Sequence, residues 1–194
     1  NILTLVIMNF VIWKEVMDKT SSVVVTYLDA GNSKSTLIKM PQGTSILINA
    51  GSSTEKYTTA GRNVIPYLKT KGISEIDLLV ITSLNKNEFR NLKFLAENFP
   101  IRNMFVPDYY LPVFDDNNIS PSFKGINIEY VRSSGVINRR GTFRLYLYYD
   151  SLYHGSSMMA QFTYGNRNFL FDDPGEFYDD AVNSMLLPGE MKYD

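Results

Sequence analysis

The fold class this sequence predicts is α/β, with mixed sheets flanked by helices, and three observations predict it. Short β-branched and aromatic runs separated by tight turns fill positions 23–48, as in an antiparallel meander. Glu75 to Ile81 holds the continuous apolar run Ile76, Leu78, Leu79, Val80 and Ile81, the pattern of a strand buried on both faces. Asn63 to Lys71 and Asn87 to Asn98 carry their apolar residues at helical spacing on either side of that strand.

Taken in order, Ile2 to Trp13 is apolar except for Thr4 and Asn9, then turns polar at Lys14, Glu15 and Asp18. It is shorter than the roughly 20 residues a bilayer requires, and reads as the last turns of a transmembrane helix ending at an interfacial Trp13 and Lys14. A helix packed on its own domain and the core of a signal peptide are the other readings. Asn1 in place of a methionine points to an excised or processed chain. This divides the chain into an apolar segment, 1–18, and a domain, 19–194. Val23 to Leu28 reads as a strand running into the turn Asp29-Ala30-Gly31, Ser35 to Lys39 as a second, and Ser45 to Ile48 as a third after Pro41-Gln42-Gly43. A polar loop from Gly51 to Arg62 leads into the first helix, with Pro66 near its start where a missing N–H costs little. Strands follow at Asn103 to Pro107, Ile126 to Val131 and Thr142 to Tyr149, and a hairpin joins Met158–Tyr164 to Asn168–Phe171 across Gly165-Asn166.

Composition excludes several chemistries. The chain has 194 residues, 44% hydrophobic and 20% charged, enough for one domain with a sizeable core. Its net charge of -1 supplies no global attraction for nucleic acid or an anionic membrane. With no cysteine there is no disulfide, thiolate nucleophile or cysteine-bound metal. The single histidine, His154, cannot build a zinc site that draws two or three imidazoles from one chain.

Several motifs together resemble the metallo-β-lactamase-like domain of ComEC-type competence proteins, the channels that internalise DNA. Tyr27-Leu28-Asp29-Ala30-Gly31-Asn32-Ser33-Lys34-Ser35 is similar to that family's opening FLDVGQGDS, and Leu47-Ile48-Asn49-Ala50-Gly51 to its LIDAG. Asn63 to Ile73 resembles its VVLPYLKARGI helix, and Ile76-Asp77-Leu78-Leu79-Val80-Ile81-Thr82 its LDLLVLTH strand. The resemblance implies an αββα sandwich with the N-terminal half to two-thirds present. It also implies a place beside the transmembrane helices of a bacterial inner-membrane protein, with the rest of that channel and DNA as partners.

The same resemblance says where a zinc site belongs. In the family the strand is followed by TH-x-H-x-DH, whose imidazoles and carboxylate hold zinc and activate water. Here Ser83 stands for the first histidine, Asn85 for the second, Asn87 for the aspartate and Glu88 for the third histidine, with Lys86 adding a positive charge. The neutral groups are weak ligands and one carboxylate cannot hold zinc, so neither catalysis nor a zinc cofactor is expected. Asp29, Asn32, Asn49, Asp172 and Asp173 are the residual cleft candidates; Glu88 with Asp172 or Asp173 forms the alternative of a hard-ion site, against the plainer reading of turn carboxylates.

Two other groupings have plainer readings. His154-Gly155-Ser156-Ser157 lacks the strand–turn–helix elbow of a serine hydrolase and reads as a loop. Arg139, Arg140 and Arg144 beside Tyr146, Tyr148 and Tyr149 mix charge with aromatics as single-strand binders do, yet alternating tyrosines on a strand are more often half-buried sheet residues. The resulting expectation is a non-catalytic domain of a DNA-uptake protein. The alternatives are a hydrolase or nuclease with a non-standard carboxylate site, and a ligand- or partner-binding scaffold.

Overall fold

The computed structural model describes residues 4–9, 22–31, 33–114, 120–139, 143–150 and 157–171. Two sheets form its centre. The first holds β1 (Val24–Tyr27), β2 (Thr36–Lys39), β3 (Ser45–Ile48), β4 (Ile76–Val80), β5 (Ile101–Pro107) and β6 (Asn127–Val131), side by side in that order. β1, β2 and β3 are antiparallel, as tight turns dictate, whereas β3 to β6 run parallel and so need crossovers. The second sheet is an antiparallel meander of β7 (Ser133–Arg139), β8 (Phe143–Asp150), β9 (Met159–Tyr164) and β10 (Arg167–Phe171).

The crossovers carry the helices. A π-helical turn, Ala60–Val64, runs into α1 (Ile65–Thr70) between β3 and β4; α2 (Lys86–Asn98) joins β4 to β5; and 3-10 turns around α3 (Leu111–Phe114) lead towards β6. The period-2 alternation of the strands then sorts the core. Leu37, Leu47, Leu79 and Met104 face Leu68, Leu92 and Leu95 of the helices. Ile38, Ile46, Leu78 and Val80 face Leu145, Leu147, Ala160 and Phe162 of the second sheet. β4 is thus apolar at every position but Asp77 because both its faces are covered, and Asp77 accepts from Ser45 N–H at 2.9 Å and Arg102 at 2.8 Å. Among the described residues the layers are helix, sheet and sheet; the expected second helical layer does not fall among them.

The structure differs from the sequence reading in two places. The first helix begins at Ala60 rather than Asn63, because Ala60 N–H donates to the buried Asn91 side chain at 2.9 Å and starts the turn from outside the segment. β7 has no counterpart in the sequence reading; its SSGVINR lacks clean alternation and gains its identity by pairing with β8, with a register shift between Ser133 and Gly135. The tyrosine series follows its plainer reading as sheet residues: Tyr149 turns into the inter-sheet core, Tyr148 is buried with its hydroxyl donating to Gln161 at 3.0 Å, and Tyr146 is half-buried and stacked on Tyr148.

Residues 4–9 form a short helical segment. Among the described residues no helix is long and apolar enough to cross a membrane.

Candidate functional site

The carboxyl ends of β3 and β4 open into a shallow depression of about 180 Å³, open solvent included. Its polar lining is Ser33, Asn49, Ser83 and Glu88, over Ile81 and Leu92. Each polar group has local work. Asn49 sits at φ 58, a left-handed conformation that asparagine tolerates, and this turns its amide towards the next strand. Its Oδ1 accepts from Thr82 N–H at 2.8 Å and its Nδ2 donates to Thr82 Oγ1 at 2.7 Å, so the ends of β3 and β4 are locked by a paired bond. Gly51, two residues on, has φ +82, and a Cβ there would stand 2.7 Å from both Ala30 Cβ and Thr59 Oγ1. Only glycine fits that close passage.

The loop between β4 and α2 is held from several sides. Asn85 is the N-cap of α2 and its Oδ1 accepts from Asn87 N–H at 2.9 Å and Glu88 N–H at 3.1 Å. Glu88 Oε2 accepts in return from Asn85 N–H at 2.8 Å, completing a capping box. The other oxygen, Oε1, accepts from the Ser33 hydroxyl at 2.7 Å. Leu84 N–H donates to the Tyr110 hydroxyl at 2.9 Å, and Met158 N–H from the second sheet donates to Thr82 O at 2.7 Å.

The sequence candidates therefore separate. Asn49, Ser83 and Glu88 meet at the depression, while Asn85 and Asn87 are exposed at the start of α2. Asn87 contributes through its carbonyl, which accepts from the Ser53 hydroxyl at 2.9 Å and Ser53 N–H at 3.1 Å. Asp29 is exposed in its turn, and its backbone carbonyl accepts from Asn63 Nδ2 at 2.7 Å. Asn32, His154, Asp172 and Asp173 lie outside the described residues. Among the described residues there is no imidazole and no group of three or more His, Cys, Asp or Glu side chains placed to share a metal.

Three residues escaped sequence reading. Ser33 and Thr82 have no local mark of their role, whereas the spacing Asn85-x-x-Glu88 ahead of an apolar helical period is a legible capping signal. Asn91 is fully buried; its Oδ1 accepts from Ala60 N–H at 2.9 Å and its Nδ2 donates to Ala50 O at 2.6 Å. Its sign was position, since it falls one turn before Leu95 on the inward face of α2.

No family model matches the sequence, and no curated protein matches it. Solved structures do match in shape. Zn(2+)-bound PqqB from Methylobacterium extorquens is similar over 79% of this chain and 56% of its own, with TM-score 0.58 and 8% identity. The Cronobacter sakazakii metallo-β-lactamase with the HARLDQ motif is similar over 82% and 68%, with TM-score 0.55 and 13% identity. The metallo-β-lactamase fold protein YhfI from Bacillus subtilis is similar over 77% and 61%, with TM-score 0.52 and 12% identity. The chain has the metallo-β-lactamase fold. It spans 56% to 68% of the length of these three proteins, and identities of 8% to 13% speak for the fold alone.

Within this metallo-β-lactamase fold the two sheets are also tied beside the depression, at the exit of β5. The buried Tyr149 hydroxyl donates to Asp108 Oδ1 at 2.9 Å. Burial, reinforced by the Asp108 carboxylate, pushes the phenol up from 10.0 to about 12. The folded chain therefore holds this proton more tightly than the unfolded chain, so the stabilisation is complete below about pH 10 and disappears as pH rises towards 12. Two units correspond to at most about 2–3 kcal/mol. Denaturant melts between pH 9 and 12 should show a steeper alkaline loss for the parent chain than for Tyr149→Phe. Parallel curves would remove the phenol from the account.

Proposed function

We propose that this chain is a non-catalytic metallo-β-lactamase-fold domain of a ComEC-type membrane protein, with a role in DNA internalisation inherited from that family. The observation that carries the non-catalytic part is the state of Glu88. Among the described residues it is the one carboxylate lining the depression, and both its oxygens are engaged, one by Ser33 and one by the α2 cap. Hydroxyls and neutral amides make up the rest of the polar lining, and these are poor partners for a first-row metal. As a donor set the described residues do not fit zinc, and no step through a metal-bound water is assigned to them.

Metal content tests this reading. After incubation with zinc, manganese and magnesium and then desalting, the domain is expected to retain far less than one metal per chain. Retention of close to one zinc or manganese would overturn it in favour of the hydrolase or nuclease alternative, and Glu88, Asp172 and Asp173 would then be the first ligands to substitute.

The membrane part of the proposal draws on residues 4–9. Leu5, Val6, Ile7 and Met8 are 62%, 59%, 56% and 62% exposed. At about 100° per residue these four consecutive positions point to all sides of a helix, so apolar side chains are exposed all round this segment between Thr4 and Asn9. Such a segment suits lipid better than a docked surface helix. This supports a membrane-attached domain, and the channel and DNA as partners come from the family resemblance.

A further inference from the structure

We propose that the end of the first sheet opposite the depression docks on an anionic bilayer surface through its lysines, with the depression turned away from the lipid. The inference rests on the membrane attachment proposed above and adds an orientation to it. Strand direction decides which end is which. β1 runs parallel to β3 because each is antiparallel to β2, and β3 to β6 are parallel, so the chain enters β1, β3, β4, β5 and β6 at one end and leaves them at the end of the depression. The entry end holds Ser22 and Val23, on the side by which the domain is joined to the apolar segment 4–9. A domain hung from that side brings its entry end to the bilayer without the chain having to run the length of the sheet.

Charge at the entry end is one-sided. Lys39 closes β2, Lys69 and Lys71 stand at the end of α1, and Lys124 precedes β6. Lys69, Lys71 and Lys124 are exposed, and the half-buried Lys39 donates from Nζ to Lys71 O at 2.8 Å, which ties β2 to the end of α1. Among the described residues the carboxylates beside them are already engaged: Glu75 and Asp77 by Arg102, and Glu97 by Lys93 at 4.0 Å and the Ser122 hydroxyl at 2.7 Å. The lysines are left as net positive charge, the complement of anionic headgroups. Val24, the first residue of β1, adds an apolar side chain that is 50% exposed.

At the other end the exposed cations Lys56, Arg62, Lys86 and Arg90 stand among the exposed carboxylates Asp29 and Glu55. β5, seven residues at about 3.3 Å each, sets the two ends roughly 20 Å apart. The field of a charged surface fades over about 8 Å at physiological salt, so only the end that touches the headgroups is held by them. The consequence is a depression that opens to water, where a partner reaches it from the side away from the bilayer.

Lysine acylation of the full chain bound to vesicles, mapped by mass spectrometry, tests the orientation. On vesicles containing phosphatidylglycerol, Lys71 and Lys124 should react several-fold more slowly than on phosphatidylcholine alone, while Lys56 and Lys86 react equally on both. Protection of Lys56 and Lys86 instead, or of no lysine, would overturn it. A second arm measures partition of the full chain. The parent should bind the phosphatidylglycerol vesicles more tightly than the neutral ones, and a variant with Lys69→Gln, Lys71→Gln and Lys124→Gln should lose that gain at about fivefold per lysine. Lys56→Gln with Lys86→Gln should keep it; the reverse pattern ends the proposal. Binding to phosphatidylcholine alone reports on the apolar attachment. A chain that binds those vesicles without any gain on phosphatidylglycerol refutes the orientation only, and one that binds neither refutes the attachment with it.

Discussion

Asn91→Ala is expected to lower the stability of the chain by roughly 2–5 kcal/mol, the cost of leaving two buried backbone groups without partners. The Asn91 side chain is fully buried, and both ends of its amide are used: Oδ1 by Ala60 N–H at 2.9 Å, Nδ2 on Ala50 O at 2.6 Å. It thereby bonds the exit of β3 and the start of the π-helical turn to α2. Truncation therefore leaves a donor and an acceptor in a dry place, and the turn at Ala60–Val64 loses the bond that starts it. In a chain of this size the melting temperature should fall by roughly 5–15 °C. Asn91→Asp discriminates the mechanism, because its carboxylate still accepts from Ala60 but is opposed by the Ala50 carbonyl. It should be at least as damaging as the alanine. A loss of under about 1 kcal/mol in both variants, measured by denaturant melts, would mean that water replaces the amide and that the clamp is not needed.

Phe162→Ala should cost about 3–5 kcal/mol, the usual range for emptying a buried aromatic site. Phe162 is 0% exposed in β9, directly opposite Leu145 of β8 and Phe169 of β10, with ring centroids 5.7 Å from Phe143 and 6.2 Å from Phe169. It belongs to the cluster that also holds Ile38, Ile46 and Val80 of the first sheet, so the void would open where the two sheets meet. Phe162→Leu keeps most of the volume and should cost less than half as much. Similar losses from the two substitutions would show that the contact depends on the aromatic ring rather than on filling the space.

Much of the first sheet was legible because its signals are local. The turn residues at Asp29-Ala30-Gly31 and Pro41-Gln42-Gly43, and the two-sided burial of Ile76 to Val80, are properties of a few neighbouring positions. β7 was not legible, since a strand without clean alternation is defined by its partner. The candidate site was legible as a set of positions: Asn49, Ser83 and Glu88 do line one depression. What those side chains do there was not. Read one by one, Asn85 and Glu88 are vacated ligand positions; in three dimensions they are a helix cap joined to Ser33.

The sequence by itself determined the order of the strands of the first sheet and of the two longer helices between them, and left the chain without a thiol and with a single imidazole, because residue identity and short-range periodicity do not depend on what lies across the fold. Only the tertiary structure decided that Glu88 takes its second partner from Ser33, 55 positions earlier, that Asn91 joins two segments far from it in sequence, and that the second sheet reaches Thr82 through Met158. A buried or half-buried polar group must find a partner when water is excluded, and which partner it finds is set by strand register and helix docking.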